Sequence, residues 1–126
     1  MTTVPADETI TLCFDLTIDP ADMDRLLGIW ERYVTHVEAT EPGALVYTWN
    51  VSEDQRSVFI LEHYRNAKAV IEHGPNIAGF SAEMAPYRTV DKLTVLGNPS
   101  EALLNVLKQR YPTTHFKPAK GFSRAN

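Results

Sequence analysis

Apolar and polar positions alternate along this chain in patterns that mark out its elements. From Thr9 to Ile18 the alternation is strict: Ile10, Leu12, Phe14, Leu16 and Ile18 fall on one side, Thr11, Cys13, Asp15 and Thr17 on the other. Successive strand side chains point to opposite faces, so this segment predicts a strand with one fully apolar face. Asp19-Pro20-Ala21-Asp22 then predicts a helix start. The first Asp suits a cap, the proline suits the first turn, and the second Asp suits the positive end of the helix dipole. Met23, Leu26, Leu27, Trp30, Tyr33, Val34 and Val37 recur at helical spacing up to the turn Glu41-Pro42-Gly43.

A second strand fits Ala44 to Val51, with Leu45, Tyr47, Trp49 and Val51 on one face. The charged stretch Ser52 to Arg56 is short enough for a hairpin into a third strand, Ser57 to Tyr64. Both faces of this strand begin apolar. Val58 and Ile60 lead to Glu62 and Tyr64 on one face, while Phe59 and Leu61 lead to His63 on the other. Such a strand is expected to be covered on both sides. Burying a carboxyl group and a phenol at the end of one face costs free energy unless each finds a partner, which makes this the place to look for chemistry.

Two short helices are predicted next, Asn66 to His73 and Ile77 to Tyr87, separated by Gly74-Pro75. Ala67, Val70 and Ile71 form the inner stripe of the first; Ile77, Phe80, Met84 and Tyr87 form that of the second. A fourth strand fits Thr89 to Leu96, ended by Gly97-Asn98-Pro99. Strand, helix, strand, strand, helix, strand is the α+β order of a ferredoxin-like βαββαβ antiparallel sheet. Beyond it, Ser100 caps a helix carrying Leu103, Leu104 and Leu107, and Thr113 to Asn126 reads as an extended arm. The chain is expected to be one domain, with a ferredoxin-like core over 9–97 and the helix and arm over 98–126. Residues 1–8 read as a frayed start.

In a βαββαβ unit the helices cover one face of the sheet. Phe59 and Leu61, with Leu93 and Val95 assigned to the same uncovered face, would leave more apolar surface than a monomer usually exposes. A second copy packed face to face across a two-fold axis is the simplest cover, so a homodimer is expected, with His63 facing the partner.

Composition adds a few bounds. The chain has 126 residues, 44% of them hydrophobic, which is enough for one core. The single cysteine, Cys13, fits a reducing cytoplasm and reads as an inert buried thiol. The first residues lack the pattern of a signal peptide, and no apolar run is long enough for a membrane span. Residues 1–97 carry 15 acidic and 7 basic side chains, whereas 98–126 carry five basic ones and Glu101. The acidic body argues against nucleic acid as a partner, and the basic arm is expected to lie on the body or on a neighbouring subunit.

Three stretches carry a resemblance: Glu41-Pro42-Gly43-Ala44-Leu45-Val46-Tyr47, the pair Glu62 and Tyr64 around His63, and His73 in the helix that follows. Over residues 9–97 the sequence resembles the antibiotic biosynthesis monooxygenase superfamily. These are dimeric ferredoxin-like α/β barrels that include quinol monooxygenases and haem-degrading enzymes. The resemblance implies a cofactor-independent monooxygenase acting with O2 on a small electron-rich aromatic or quinol-type substrate. Such an enzyme must deprotonate a bound phenol, shield the anion from water and stabilise it with donors.

On that reading His73 is the base, because an imidazole with a pKa of about 6.5 suits neutral pH. Tyr64 and Glu62 donate to or orient a substrate oxygen. Phe14, Tyr47, Trp49, Ile71, Phe80 and Met84 line the pocket between the sheet and the helices of 66–87. Structural alternatives stand beside each role: a histidine closing a helix end, a Glu paired to a neighbour, aromatic rings that are simply core. His36 is expected on the solvated side of its helix, and Arg88 as a cap of helix carbonyls.

No metal is expected. Glu62 and His63 point to opposite faces of their strand, and no pair of histidines has ligand spacing. Haem fits poorly as well: the haem-degrading branch has an asparagine on the first strand, near Phe14 here, and a tryptophan where this chain has Tyr64. Two other functions remain open. One is a non-catalytic dimeric module that binds a small hydrophobic ligand or a protein; the other is a different dimeric-barrel enzyme of aromatic metabolism.

Overall fold

The architecture comes from a computed structural model, which describes residues 2–5 and 8–125. Strand β1 is Thr2–Pro5 and β2 is Ile10–Thr17; helix α1 is Met23–Thr40. Strands β3 (Ala44–Val51) and β4 (Ser57–Tyr64) precede helix α2 (Ala67–Met84). Strand β5 (Thr89–Gly97), helix α3 (Glu101–Arg110) and strands β6 (Thr113–Phe116) and β7 (Phe122–Ala125) complete the chain. The sheet order is β3-β4-β2-β5-β6. Each of its first four strands runs antiparallel to its neighbours among them, in the predicted ferredoxin-like arrangement; β6 joins β5 in parallel.

Local signals explain the element ends. Asp19 accepts the Ala21 amide at 3.0 Å ahead of a short 3-10 turn that leads into α1. Asn66 caps α2 through the Ala69 amide, and Ser100 caps α3 through that of Leu103. Gly97 ends β5 at φ +128°, and a Cβ there would meet the Thr9 carbonyl oxygen at 2.5 Å, so only glycine fits. No helix is long and apolar enough to cross a membrane among the described residues.

All three helices lie over one face of the sheet. Leu16, Ile18, Val58 and Ile60 pack against Met23, Leu26, Ile29, Trp30, Tyr33 and Val37 of α1. A second cluster joins Ile10, Leu12, Tyr64 and Val70 to Leu93, Val95 and Leu107. The other face is open in this chain, where Val46, Phe59 and Leu96 are 37–42% exposed.

The structure corrects several expectations. Gly74-Pro75 does not separate two helices; α2 runs through it. The amide that Pro75 lacks would have bonded the Ile71 carbonyl one turn back, and both residues lie on the exposed side, where water can serve that carbonyl. Ile71 itself is 58% exposed and lies outside the inner stripe, which is Val70, His73, Ile77, Phe80 and Met84.

Leu93 and Val95 belong to the helix-covered face, not the open one. A bulge pairs Asp15 with Lys92 but Leu16 with Val90, and the extra residue reverses the parity of β5. A similar irregularity between Ala44 and Val46 turns Ala44 toward the core.

The arm is also more ordered than its composition suggests. Thr113–Phe116 extends the chain's own sheet, and β7 pairs with β1, so Thr2–Pro5 is strand where a frayed start was expected. The rest of that start, Met1, Ala6 and Asp7, lies outside the described residues.

Candidate functional site

The site begins at the turn after α1. Glu41 closes that helix through its amide to the Val37 carbonyl, and the Arg65 amide bonds the Gly43 carbonyl at 2.8 Å. Gly43 sits so close to α2 that a Cβ there would lie 2.7 Å from Ala69 Cβ. This approach fixes the first turn of α2 against Glu41-Pro42-Gly43. His73, one helical turn beyond Ala69, therefore reaches back to Glu41.

Nδ1 of His73 lies 2.9 Å from both Glu41 carboxylate oxygens, and the two side chains are only 9% and 8% exposed. The polarity of this contact follows from a chain of hydrogen bonds at the surface. Thr40 donates its hydroxyl to the His36 carbonyl at 2.7 Å, so its oxygen can only accept from Asn76 Nδ2. The same amide nitrogen donates to Glu41 Oε2 at 2.8 Å, and Asn76 Oδ1 then accepts from His36 Nε2 at 2.9 Å. Glu41 is thus an acceptor on both sides, which places the imidazole proton of His73 on Nδ1. Nε2 is left as a lone pair directed into the protein.

That nitrogen meets two phenols. Tyr47 Oη stands 3.0 Å from Nε2 and Tyr33 Oη 3.2 Å, and the two hydroxyl oxygens are 2.5 Å apart. Behind them, Tyr64 donates to Glu62 Oε1 at 2.6 Å, and the same oxygen is 3.8 Å from His73 Nε2. The expected trio of His73, Tyr64 and Glu62 is therefore brought together in one buried cluster. Glu41, Tyr33 and Asn76 complete it and were not singled out as site residues by the sequence. Tyr33 stood in an ordinary helix stripe, and Glu41 in a motif that reads first as a turn.

Burial governs the acid–base character of the cluster. It raises the Glu62 carboxyl to about 7, although hydrogen bonds from Tyr64 and Tyr47 oppose the shift. Burial lowers His73 below the usual imidazole range, against the pull of Glu41. Tyr33, Tyr47 and Tyr64 are all raised, chiefly by burial and then by the Glu62 charge, so they act as neutral donors.

The expected pocket-lining residues divide. Trp30 stacks on both Tyr33 and Tyr47, with centroids at 5.0 and 5.2 Å, and Trp49 packs on Trp30 at 4.8 Å. Phe80 lies 5.5 Å from Tyr33 across the same space, and Met84 is buried beneath. Phe14 touches both core clusters and meets Tyr111 edge-on at 5.2 Å. Ile71 is apart from them, on the outer side of α2. The slot expected between sheet and helices is filled by this aromatic stack. A cleft of about 420 Å³ lies instead on the open face beside Asp15, Asn50, Phe59 and Asp91. A smaller one of about 150 Å³ adjoins Glu41, Asn66 and Glu72. The indole nitrogen of Trp49 is buried with no hydrogen-bond partner.

The remaining histidines have structural partners. His63 Nδ1 is 2.7 Å from the Thr11 hydroxyl on the open face, and His115 Nε2 donates to the Gly97 carbonyl at 2.8 Å. His36 is half-buried against Asn76 where a solvated position was expected. Arg88 donates to the Ser81 hydroxyl rather than to helix carbonyls. No three His, Cys, Asp or Glu side chains are grouped to hold a metal ion among the described residues.

No family model and no curated protein matches the sequence. Solved structures do. MupZ from Pseudomonas fluorescens superposes with a TM-score of 0.78 at 20% identity, over 93% of this chain and 95% of that one. A candidate antibiotic biosynthesis monooxygenase from Caulobacter crescentus CB15 gives a TM-score of 0.64 at 22% identity, over 72% of this chain and 90% of that one. Rv0793 from Mycobacterium tuberculosis gives 0.60 at 21%, over 75% and 98%. The chain thus shares its ferredoxin-like fold with these proteins. The MupZ match spans more than residues 1–97 can supply, so it takes in part of the C-terminal addition.

Proposed function

We propose that the protein is a cofactor-independent monooxygenase of small electron-rich aromatic or quinol-type molecules, with His73 as its base. The observation that carries this reading is the clamp on His73: Glu41 holds the proton on Nδ1 and leaves Nε2 free to accept one. An ionised partner on the far nitrogen also stabilises the imidazolium that forms. Proton removal turns a phenol or an activated ring CH2 into an anion rich enough to react with O2. At such a carbon, CH2 plus O2 gives C=O plus water: one oxygen atom enters the ring, the other leaves as water, and the substrate supplies all four electrons. The reading calls for no haem, flavin or metal.

The half-buried rings of Tyr47, Trp49 and Phe80 mark the route by which a flat substrate reaches Nε2, displacing the tyrosine hydroxyls that now contact it. Tyr64 and Glu62 then face the substrate oxygen, and the unpartnered Trp49 N–H is a further donor for it. The open sheet face, with Phe59, Leu61 and His63, is the surface on which a second copy packs to close the barrel. With one cysteine and no disulfide, the chain suits the cytoplasm.

A second reading has its own support. A buried carboxyl that titrates near neutrality is a proton donor, so Glu62 and His73 also suit a proton-transfer reaction that uses no O2. Oxygen uptake by metal-free protein on a panel of quinols and anthrones separates the readings. O2 consumption matched by product and abolished in His73→Ala supports the monooxygenase. Turnover that continues unchanged under nitrogen supports the second reading. Binding of aromatics without turnover in either atmosphere makes the protein a binding module and overturns both.

A further inference from the structure

The carboxylate that grips His73 is itself gripped, and a second histidine decides how. Asn76 follows His73 by one turn of α2, while His36 and Thr40 lie one turn apart on α1. Their hydrogen bonds join the two helices beside Glu41, on the side of the imidazole that faces away from the tyrosines.

Only one orientation of the Asn76 amide satisfies these surroundings. The Thr40 hydroxyl donates its one proton to the His36 carbonyl at 2.7 Å. Turned over, the amide would set its oxygen 2.9 Å from the Thr40 oxygen and 2.8 Å from Glu41 Oε2, two contacts between acceptors with no proton in either. With Nδ2 on that side, Oδ1 faces His36 Nε2 at 2.9 Å, and that nitrogen must donate. His36 thus acts twice: its carbonyl takes the Thr40 proton, and its ring holds the amide oxygen. The held amide keeps Glu41 an acceptor, with both carboxylate oxygens 2.9 Å from His73 Nδ1.

We propose that His36 and Asn76 are positioning residues for His73, holding Glu41 so that the imidazole carries its proton on Nδ1 and presents Nε2 as a lone pair. Which ring nitrogen carries the proton is set by the bond the other one makes. The direction in which the base works is therefore decided between α1 and α2, by residues that do not touch substrate. This rests on the reading of His73 as the base. Every leg lies on the Nδ1 side, so a substrate that displaces the tyrosine hydroxyls from Nε2 leaves the chain intact. A hydrogen bond to a charged group is stronger than one between neutral groups. Losing Asn76 frees the Glu41 carboxylate to turn toward water and lets the His73 proton exchange to Nε2.

The test uses the intact protein without substrate, at about pH 8, where imidazoles are mostly neutral. Nitrogen-15 NMR of the rings should show opposite nitrogens protonated in the two histidines: Nδ1 in His73 and Nε2 in His36. His73 protonated on Nε2, or His36 on Nδ1, in the unmodified protein overturns the proposal, whether or not any variant folds. In Asn76→Ala the Nε2–H form of His73 should rise about tenfold or more, the loss expected for one hydrogen bond to a charged group. His36→Phe keeps a ring against Phe80, which His36 meets at 5.6 Å, but removes the donor. Its Nε2–H form should rise by less, and His36→Gln, which can still donate, should restore the unmodified pattern. His36→Phe should add nothing once Asn76 is alanine, because its effect passes through the amide. An unchanged His73 tautomer in folded Asn76→Ala overturns the proposal and leaves both residues as ties between helices. Because no substrate is present, failed O2 uptake leaves the tautomer pattern standing, and a failed pattern leaves the monooxygenase reading to its own assay.

Discussion

His73 Nδ1 lies 2.9 Å from each oxygen of Glu41, and that carboxylate is itself held by Asn76 from the other side. On the proposed reading, in which His73 is the base, this pairing gives Glu41 the part of a positioning residue rather than of a group that touches substrate. Removing the base should cost about 10²–10⁴-fold in kcat, the range for a positioned general base. His73→Ala is therefore expected to reduce kcat by that factor with a smaller change in KM. Glu41→Gln keeps the shape but offers an uncharged amide, so the imidazolium loses its counter-charge. Its kcat should fall less, and the acidic limb of its pH–rate profile, where His73 loses its proton, should move to lower pH. Equal turnover in wild type and His73→Ala removes His73 from the mechanism.

Glu62 gives a stability signature with a definite sign. Its folded-state pKa, about 7, lies above the ordinary value of 4.5, so the folded state binds the proton more tightly than the unfolded chain does. The resulting stabilisation is complete below pH 4.5 and is lost as pH rises through 7. A shift of this size corresponds to about 3 kcal/mol. His73 works in the opposite sense: its lowered pKa adds stability above the ordinary imidazole value, lost as pH falls through the depressed one. Glu62→Gln keeps the shape of the neutral carboxyl and cannot ionise, so urea unfolding should show it close to wild type at pH 5 and more stable than wild type at pH 8. A gap that is the same at both pH values contradicts the buried, neutral carboxyl.

The alternation of β2 and the faces of β4 were legible in the sequence because period-two patterns survive wherever a strand stays regular. They fail where it does not. The bulge at Asp15/Leu16 moved Leu93 and Val95 to the covered face, and nothing in Thr89 to Leu96 announces one extra residue. Gly74-Pro75 misled for a related reason: a proline ends a helix when the carbonyl it deprives is buried, and here that carbonyl is on the exposed side. Within the site, Glu62, Tyr64 and His73 were visible as polar groups on apolar faces. Glu41 and Tyr33 were not, because their roles depend on how α1 and its following turn dock against α2. Local sequence pattern carries no record of that docking.

With Leu93 and Val95 on the covered face, the expectation of a second copy on the open sheet rests on the apolar side chains that remain there. Val46, Phe59 and Leu96 remain 37–42% exposed there, with Leu61 half-buried among them. Leu61→Asp places a charge in the middle of this surface, where pairing would desolvate it without a partner. Light scattering should give a dimer for wild type at micromolar concentration, and monomer or aggregate for Leu61→Asp. A monomeric wild type contradicts the pairing.

Gly43 ties the turn motif to the Glu41–His73 pairing, and this can be tested by compensation. A Cβ on residue 43 would stand 2.7 Å from Ala69 Cβ, closer than two carbon atoms can approach. Gly43→Ala must therefore push the turn away from the first turn of α2, and Glu41 travels with the turn. Overpacking of this kind costs about 1–3 kcal/mol, and the separation of Glu41 from His73 should lower kcat as Glu41→Gln does. Ala69→Gly alone should cost about 1 kcal/mol of helix propensity while leaving the pairing in place. Combined, the two changes remove the clash, because the Cβ at 43 now faces the space vacated at 69. The double variant should regain most of the kcat lost in Gly43→Ala and be more stable than the sum of the single effects predicts. Additive losses in both stability and kcat would mean that Gly43 is needed for some reason other than the close approach of α2.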